Sequence, residues 1–265
     1  MTPGQRAESL IANFGISSPS EIDIEAIAFA SGVEIQYDSL KGCDATLVGV
    51  DDRAIATVRP SSVRGRERFS IGHELGHWEM HRGRSFRCRT DSPDENLASN
   101  RVEEKEADSF AAHLLMPATL FNPRVNALIK PGFSALDEVA REFETSLLAT
   151  SVRLADVNQL PVALACYSAS GRRWYKFSSD IPRRWRLERK LDEESFAYDL
   201  LKLGKMPGGL RKQPADVWFE NSDADDFEVY EDCFPGKDGE VLVLLYLEAD
   251  MMEAEFERNA RGRRF

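Results

Sequence analysis

No apolar run in the chain approaches the length needed to cross a bilayer as a helix, which excludes a membrane-spanning protein of that kind. Cysteine is scarce: Cys43, Cys88, Cys166 and Cys233 are scattered and form no C-x-x-C pair. This fits reduced cytosolic thiols better than a disulfide framework. Positive charge is short as well. With a net charge of −11 and a pI near 5.0, the molecule as a whole would repel phosphates, which argues against direct nucleic-acid binding. The opening residues, Met1 to Glu8, lack the apolar stretch of a secretory signal, so a cytoplasmic location is expected. What remains is an ordinary balance, 42% hydrophobic and 30% charged over 265 residues, enough to bury the core of one large or two modest domains.

The chain is organised around Phe69-Ser70-Ile71-Gly72-His73-Glu74-Leu75-Gly76-His77-Trp78, which contains an H-E-x-x-H pattern. Four residues of α-helix advance about 400° and roughly 6 Å, so His73 and His77 project from one face and can reach a single ion. Zinc suits neutral imidazole, and a catalytic zinc keeps one of four positions for water. Glu74 points about 100° away, beside the metal, where a base can take a proton from water.

Before this helix, residues 5–14 and 21–31 read as amphipathic helices, the second ended by Gly32. Val33 to Tyr37 alternates like a strand, and Ala45–Val50 and Ala54–Val58 form a hairpin across Asp51-Asp52-Arg53. Such a sheet offers an edge on which a peptide can lie as an added strand. The metal helix is expected over about residues 65–80, a loop over 82–100, and a second helix over 101–115 that Met116-Pro117 ends.

That second helix is expected to supply the third ligand. Glu104 shares a stripe with Asp108, Ala111, Ala112 and Leu115. Its alanines let a neighbouring helix approach closely, as Gly76 does from the other side. Glu103 lies over Ala107, Phe110 and Leu114, a greasier stripe suited to core, and Glu106 faces outward. Glu104 is therefore the expected ligand, and Asp108, one turn on, the acceptor for the ring N–H of a ligand histidine.

The run Arg68 to His77, followed by Glu104-Lys105-Glu106-Ala107-Asp108-Ser109-Phe110-Ala111-Ala112-His113-Leu114-Leu115-Met116-Pro117, resembles the ImmA/IrrE metallopeptidases over roughly residues 20–160. The resemblance implies a gluzincin-like α+β core: a small sheet, the HExxH helix and the Glu helix. Zn2+ would be held by His73, His77 and Glu104, with Glu74 as general base. It implies limited cleavage of a helix-turn-helix repressor as protein substrate, releasing stress-response or mobile-element genes. The alternative is a regulatory module that grips a repressor or antitoxin without cutting it.

Other residues carry weaker signals. His81 continues the four-residue series, but lies about 12 Å along the axis from His73, too far for the same ion; it caps the helix or lines the cleft. His113 falls on the face opposite Glu104 and reads as structural. Cys88, among Arg84, Arg87 and Arg89, is either a thiolate that gates the metal or a loop cysteine without a role.

Leu136–Phe143 and Leu147–Val157 have the spacing of a helix-turn-helix, yet the second helix is almost without positive charge. Base and phosphate contacts need such residues, so the expected use is packing or gripping a partner. Pro161 opens a different region, with strands near 162–167, 173–177, 214–219, 227–233 and 240–247, a helix near 191–203 and a charged tail from 249. Basic residues dominate 172–190 and acidic ones 191–232, and mutual pairing is expected. The expected domains are a peptidase domain over 1–130, a helix-turn-helix-like segment over 131–160 and an α+β domain of unassigned task over 161–265.

Overall fold

A computed structural model of the chain describes residues 1–82, 86–88, 100–206 and 208–254, with the side chains of 86–88, 100 and 101 left aside. The architecture is α+β, and the chain divides into two compact units. One comprises Met1–Arg124 with Val139–Ala149, the other Val125–Glu138 with Thr150–Phe265.

In the first unit, helix α1 (Pro3–Asn13) starts with a capping box, in which the Thr2 hydroxyl accepts from the Gln5 N–H and the Gln5 side chain accepts from the Thr2 N–H. Helix α2 is shorter than expected, Ile24–Ala30. The Asp23 carboxylate accepts from the Ala26 N–H and fixes its start, so Pro19–Glu21 becomes a separate 3₁₀ turn. Strands β1 (Val33–Tyr37), β2 (Ala45–Val50) and β3 (Arg53–Val58) follow, then α3 (Arg64–Met80), β4 (Phe86–Cys88), α4 (Asn100–Leu115) and α5 (Ala118–Asn126).

The sheet runs β1-β3-β2-β4. β2 and β3 form the expected hairpin, its turn reduced to Asp51 and Asp52 with Asp51 at φ 55°. β1 joins β3 in parallel, and β4 pairs with Ala45–Leu47 of β2. Part of the expected loop over 82–100 is thus a strand.

Alternation in β3 buries Ala54, Ala56 and Val58 on one face. That face packs with Ile71, Leu75 and Trp78 of α3, Phe110 and Leu114 of α4, and Leu10 and Ile11 of α1. Trp78 fills the space above Gly49 and donates its indole N–H to the Ser31 carbonyl at 2.8 Å. Burying each of the Leu, Ile, Val and Phe side chains stabilises the fold by about 1.5–3 kcal/mol.

Helices α6 (Phe133–Glu142) and α7 (Leu147–Val157) are joined by residues 143–146, with Glu144 at φ 51°. The other unit carries β5 (Val162–Ser168), β6 (Gly171–Phe177), α8 (Phe196–Leu203), β7 (Arg211–Pro214), β8 (Glu228–Pro235), β9 (Val241–Leu247) and α9 (Ala249–Glu253). Its sheet is antiparallel throughout, ordered β6-β5-β9-β8-β7. Every residue of β9 is buried, as a central strand covered on both faces requires.

Two expectations change here. The strand at 214–219 ends at Pro214, where Ala215–Val217 closes a 3₁₀ turn and only Phe219 bridges to Leu187. The helix near 191–203 begins at Phe196, because the Ser195 hydroxyl caps it by accepting from the Tyr198 N–H at 3.1 Å. Charge pairing between the two stretches is partial: Arg184 meets Asp223 and Arg186 lies 3.9 Å from Glu220. Lys176 pairs instead with Asp156 at 2.5 Å and Arg173 with Glu240 at 3.4 Å. The tail beyond Ala254 lies outside the described residues.

Candidate metal centre

Helices α3 and α4 meet along small residues. A Cβ placed on Gly76 would lie 3.0 Å from Ala107 Cα and 3.1 Å from its carbonyl oxygen, and one on Gly72 would lie 3.2 Å from Ala111 Cβ. Glycine on α3 and alanine on α4 let the two backbones close up. The sequence pointed to Gly76 and to Ala111; Ala107, read as part of a core stripe, is the other contact. This approach brings the faces that carry His73, His77 and Glu104 together.

Their donor atoms converge. His73 Nε2 and His77 Nε2 are 3.1 Å apart, His73 Nε2 is 3.2 Å from Glu104 Oε2, and His77 Nε2 is 3.4 Å from Glu104 Oε1. Ligands held about 2.0–2.1 Å from one tetrahedral ion sit roughly 3.3 Å from each other, so the three edges fit zinc. His77 is fully buried, His73 keeps 12% of its side chain exposed and Glu104 37%.

Proton placement supports the fit. His73 Nδ1 is 2.9 Å from Asp108 Oδ1, a carboxylate oxygen that can only accept, so His73 carries its proton on Nδ1. Its Nε2 then presents a lone pair. Burial first, and the neighbouring His73 and His81 rings after it, lower the His77 pKa against the opposing pull of Glu104, which favours the neutral ring that binds metal. Burial acts to raise the Glu104 carboxyl, but the two imidazoles outweigh it and hold it down at about 2, so the carboxylate is ionised at neutral pH. Lone pairs and a negative charge facing one another at these distances call for a cation among them.

The other sequence-derived positions fall as follows. Glu74 is fully buried and stands outside the converging group. Asp108 Oδ1 lies against the Nδ1 of the His73 ring. His81 is the C-cap residue of α3, its N–H bonded to the His77 carbonyl at 2.8 Å. It also does something the sequence did not reveal: its Nδ1 lies 3.3 Å from His77 Nδ1 and its Nε2 2.8 Å from Glu106 Oε2. Glu106, expected to face outward, is thus engaged at the site. His113 donates from Nδ1 to the Ser109 carbonyl at 2.8 Å and packs its ring over Gly4, a structural role. Glu103 is half-buried and not in the group. The backbone of Cys88 pairs with Ala45 in the sheet; its side chain lies outside the described residues.

Compared with known proteins, residues 28–155 match the IrrE N-terminal-like domain of the Peptidase M78 family. No curated protein sequence gives a significant match. Among solved structures, a Mycobacterium tuberculosis transcriptional regulator is similar, with a TM-score of 0.60 at 14% identity over 94% of this chain and 77% of that chain. At that identity the likeness speaks for the fold alone.

Proposed function

Through residues 28–155 the chain belongs to the ImmA/IrrE family, and from that premise we propose that it is a zinc endopeptidase making limited cuts in a helix-turn-helix repressor. The convergence of His73, His77 and Glu104 to edges of 3.1–3.4 Å carries this reading. These three residues would hold the ion, in a gluzincin-like arrangement of two His and one Glu. Zinc bound there would supply Lewis acidity, polarising the scissile carbonyl and making a water more acidic.

Glu74 takes a proton from the attacking water as the oxygen bonds to the carbonyl carbon. As the C–N bond breaks, Glu74 returns that proton to the leaving nitrogen, so a carboxyl and an amine are released. Asp108 holds the His73 ring with its Nε2 aimed inward. An extended substrate segment would lie along β4, the sheet edge next to β2.

Peptidase chemistry is assigned to residues 1–130, and α6–α7 is read as a helix-turn-helix shape used for packing or partner contact. Support comes from Arg153, the only basic residue of α7, which is 2% exposed and so is not displayed to phosphates. Likeness in fold to a protein described as a transcriptional regulator is in keeping with a setting in transcriptional control. Residues 161–265 are kept as a further domain of unassigned task.

Single-turnover cleavage of a helix-turn-helix repressor from the same genome, taken first from the neighbouring genes, tests the proposal. Glu74→Gln is expected to cut about 10²–10⁴-fold more slowly while keeping its zinc. Cleavage within tenfold of wild type would remove Glu74 from the mechanism, and loss of zinc would make it a ligand. A second reading, a module that grips without cutting, draws on the complete burial of Glu74, since water must reach a working base. Zinc-loaded wild type that binds the repressor and leaves it intact would select that reading.

A further inference from the structure

We propose that His81 and Glu106 form a positioning pair that sets the tautomer and orientation of His77. Glu106, with its side chain 39% exposed, presents a carboxylate that can only accept, so the 2.8 Å contact requires the proton on His81 Nε2. A neutral His81 then has its lone pair on Nδ1. That atom lies 3.3 Å from His77 Nδ1, which must therefore carry the proton and donate it. The consequence falls on the far side of the His77 ring: Nε2 is left with its lone pair, facing His73 Nε2 at 3.1 Å and Glu104 Oε1 at 3.4 Å.

Helix geometry explains why these residues do this work. His77 and His81 are one turn apart on α3, so their rings lie along the same face, tilted 50° to each other with centroids 5.5 Å apart. His81 ends the helix, which frees its ring to turn back toward His77 while Glu106, on α4, fixes the outer nitrogen. Each of the two histidines of the centre thus has its own carboxylate anchor on α4: Asp108 directly for His73, and Glu106 through His81 for His77. Partners of this kind typically account for about 10–100-fold in metal affinity.

This inference rests on the metal-site reading, and zinc(II) affinity by chelator competition tests both without recourse to activity. His81→Ala and Glu106→Ala should each bind zinc(II) about 10–100-fold more weakly, and Glu106→Gln, which keeps an acceptor oxygen, should recover part of the loss. Because the two act in series, the double alanine variant should bind no more weakly than His81→Ala. Exposure of Glu106 leaves its variants able to fold, which circular dichroism checks. In the metal-free wild type at pH 8, nitrogen-15 spectra should show His81 protonated on Nε2 and His77 on Nδ1. Affinities within threefold of wild type, losses that multiply in the double variant, or the opposite tautomers would each overturn the pair. A wild type that takes up no zinc(II) would overturn the metal reading and the pair with it, whereas equal uptake by wild type and variants overturns the pair alone.

Discussion

Two groups of acids in this protein, one on β8 and one on α4, do opposite things. On β8, Glu231 is fully enclosed and accepts from the Ala197 N–H at 2.7 Å and the Trp218 indole at 3.1 Å, while Asp232 accepts from the Phe133 and Cys233 N–H groups at 2.7 and 2.9 Å. Ala197 and Phe133 belong to the first turns of α8 and α6, so the two carboxylates satisfy N–H groups that a helix leaves without partners. On α4, Glu104 is less buried, but what faces it is a pair of imidazoles. Burial drives Glu231 up to about 7 against its N–H donors, whereas Glu104 is held at about 2 despite burial. A displaced pKa flags both sites equally. The neighbours distinguish them: N–H donors enclose the β8 acids, whereas imidazoles face Glu104 in an arrangement that could hold a metal ion.

The largest effect should separate the two sites outright. His73→Ala, His77→Ala or Glu104→Ala should lose the roughly one zinc per chain expected of such a centre, while Glu231→Gln and Glu103→Ala keep it, as metal analysis of dialysed protein would show. Zinc retained by Glu104→Ala and lost by Glu103→Ala would put the ligand on the wrong face of α4. Next in size is the seam beneath the centre. Gly76→Ala should destabilise the protein by about 1–3 kcal/mol in urea unfolding, since its Cβ meets the Ala107 backbone and the overpacking exceeds alanine's helix preference.

The smallest effect is one of pH. Glu231 titrates higher folded, about 7, than its reference value of 4.5, so the folded state holds its proton more tightly. Its contribution to stability is therefore complete below about 4.5 and is lost as pH rises through about 7. Glu231→Gln should flatten the stability curve across that window. An unchanged slope in denaturant titrations would mean that its donors, rather than burial, dominate.

Much of the candidate metal centre was legible because helical period fixes directions. His73, His77 and Glu104 come together on the faces their spacing assigns, and α7 spans the residues its pattern marks. Helix α5 was not legible: Pro117 reads as the end of α4, and no local signal announces that a helix restarts directly after it. In the structure Pro117 precedes the first turn and offers its carbonyl to Leu120 and Phe121, and Pro123 sits inside a short helix that forgoes one bond. The pairing of His81 with Glu106 was hidden for a different reason. Distance along the helix excluded His81 from the ion without saying where its two nitrogens would turn. Long-range pairing escaped as well: nothing local in Val33–Tyr37 announces that it joins β3 in parallel.

The glycine–alanine seam has a consequence for how the centre can be handled. Gly72 and Gly76 let α3 settle directly against Ala111 and Ala107, so the spacing of the proposed ligands is set by packing rather than by an ion. Such a frame outlasts its occupant. Chelation should empty the centre without melting the helices, and restored zinc should re-enter a waiting cradle, in contrast to small zinc folds that collapse when stripped. The same rigidity leaves little tolerance for larger ions or for added side-chain bulk along the seam, making the two glycines as restrictive as the ligands they support.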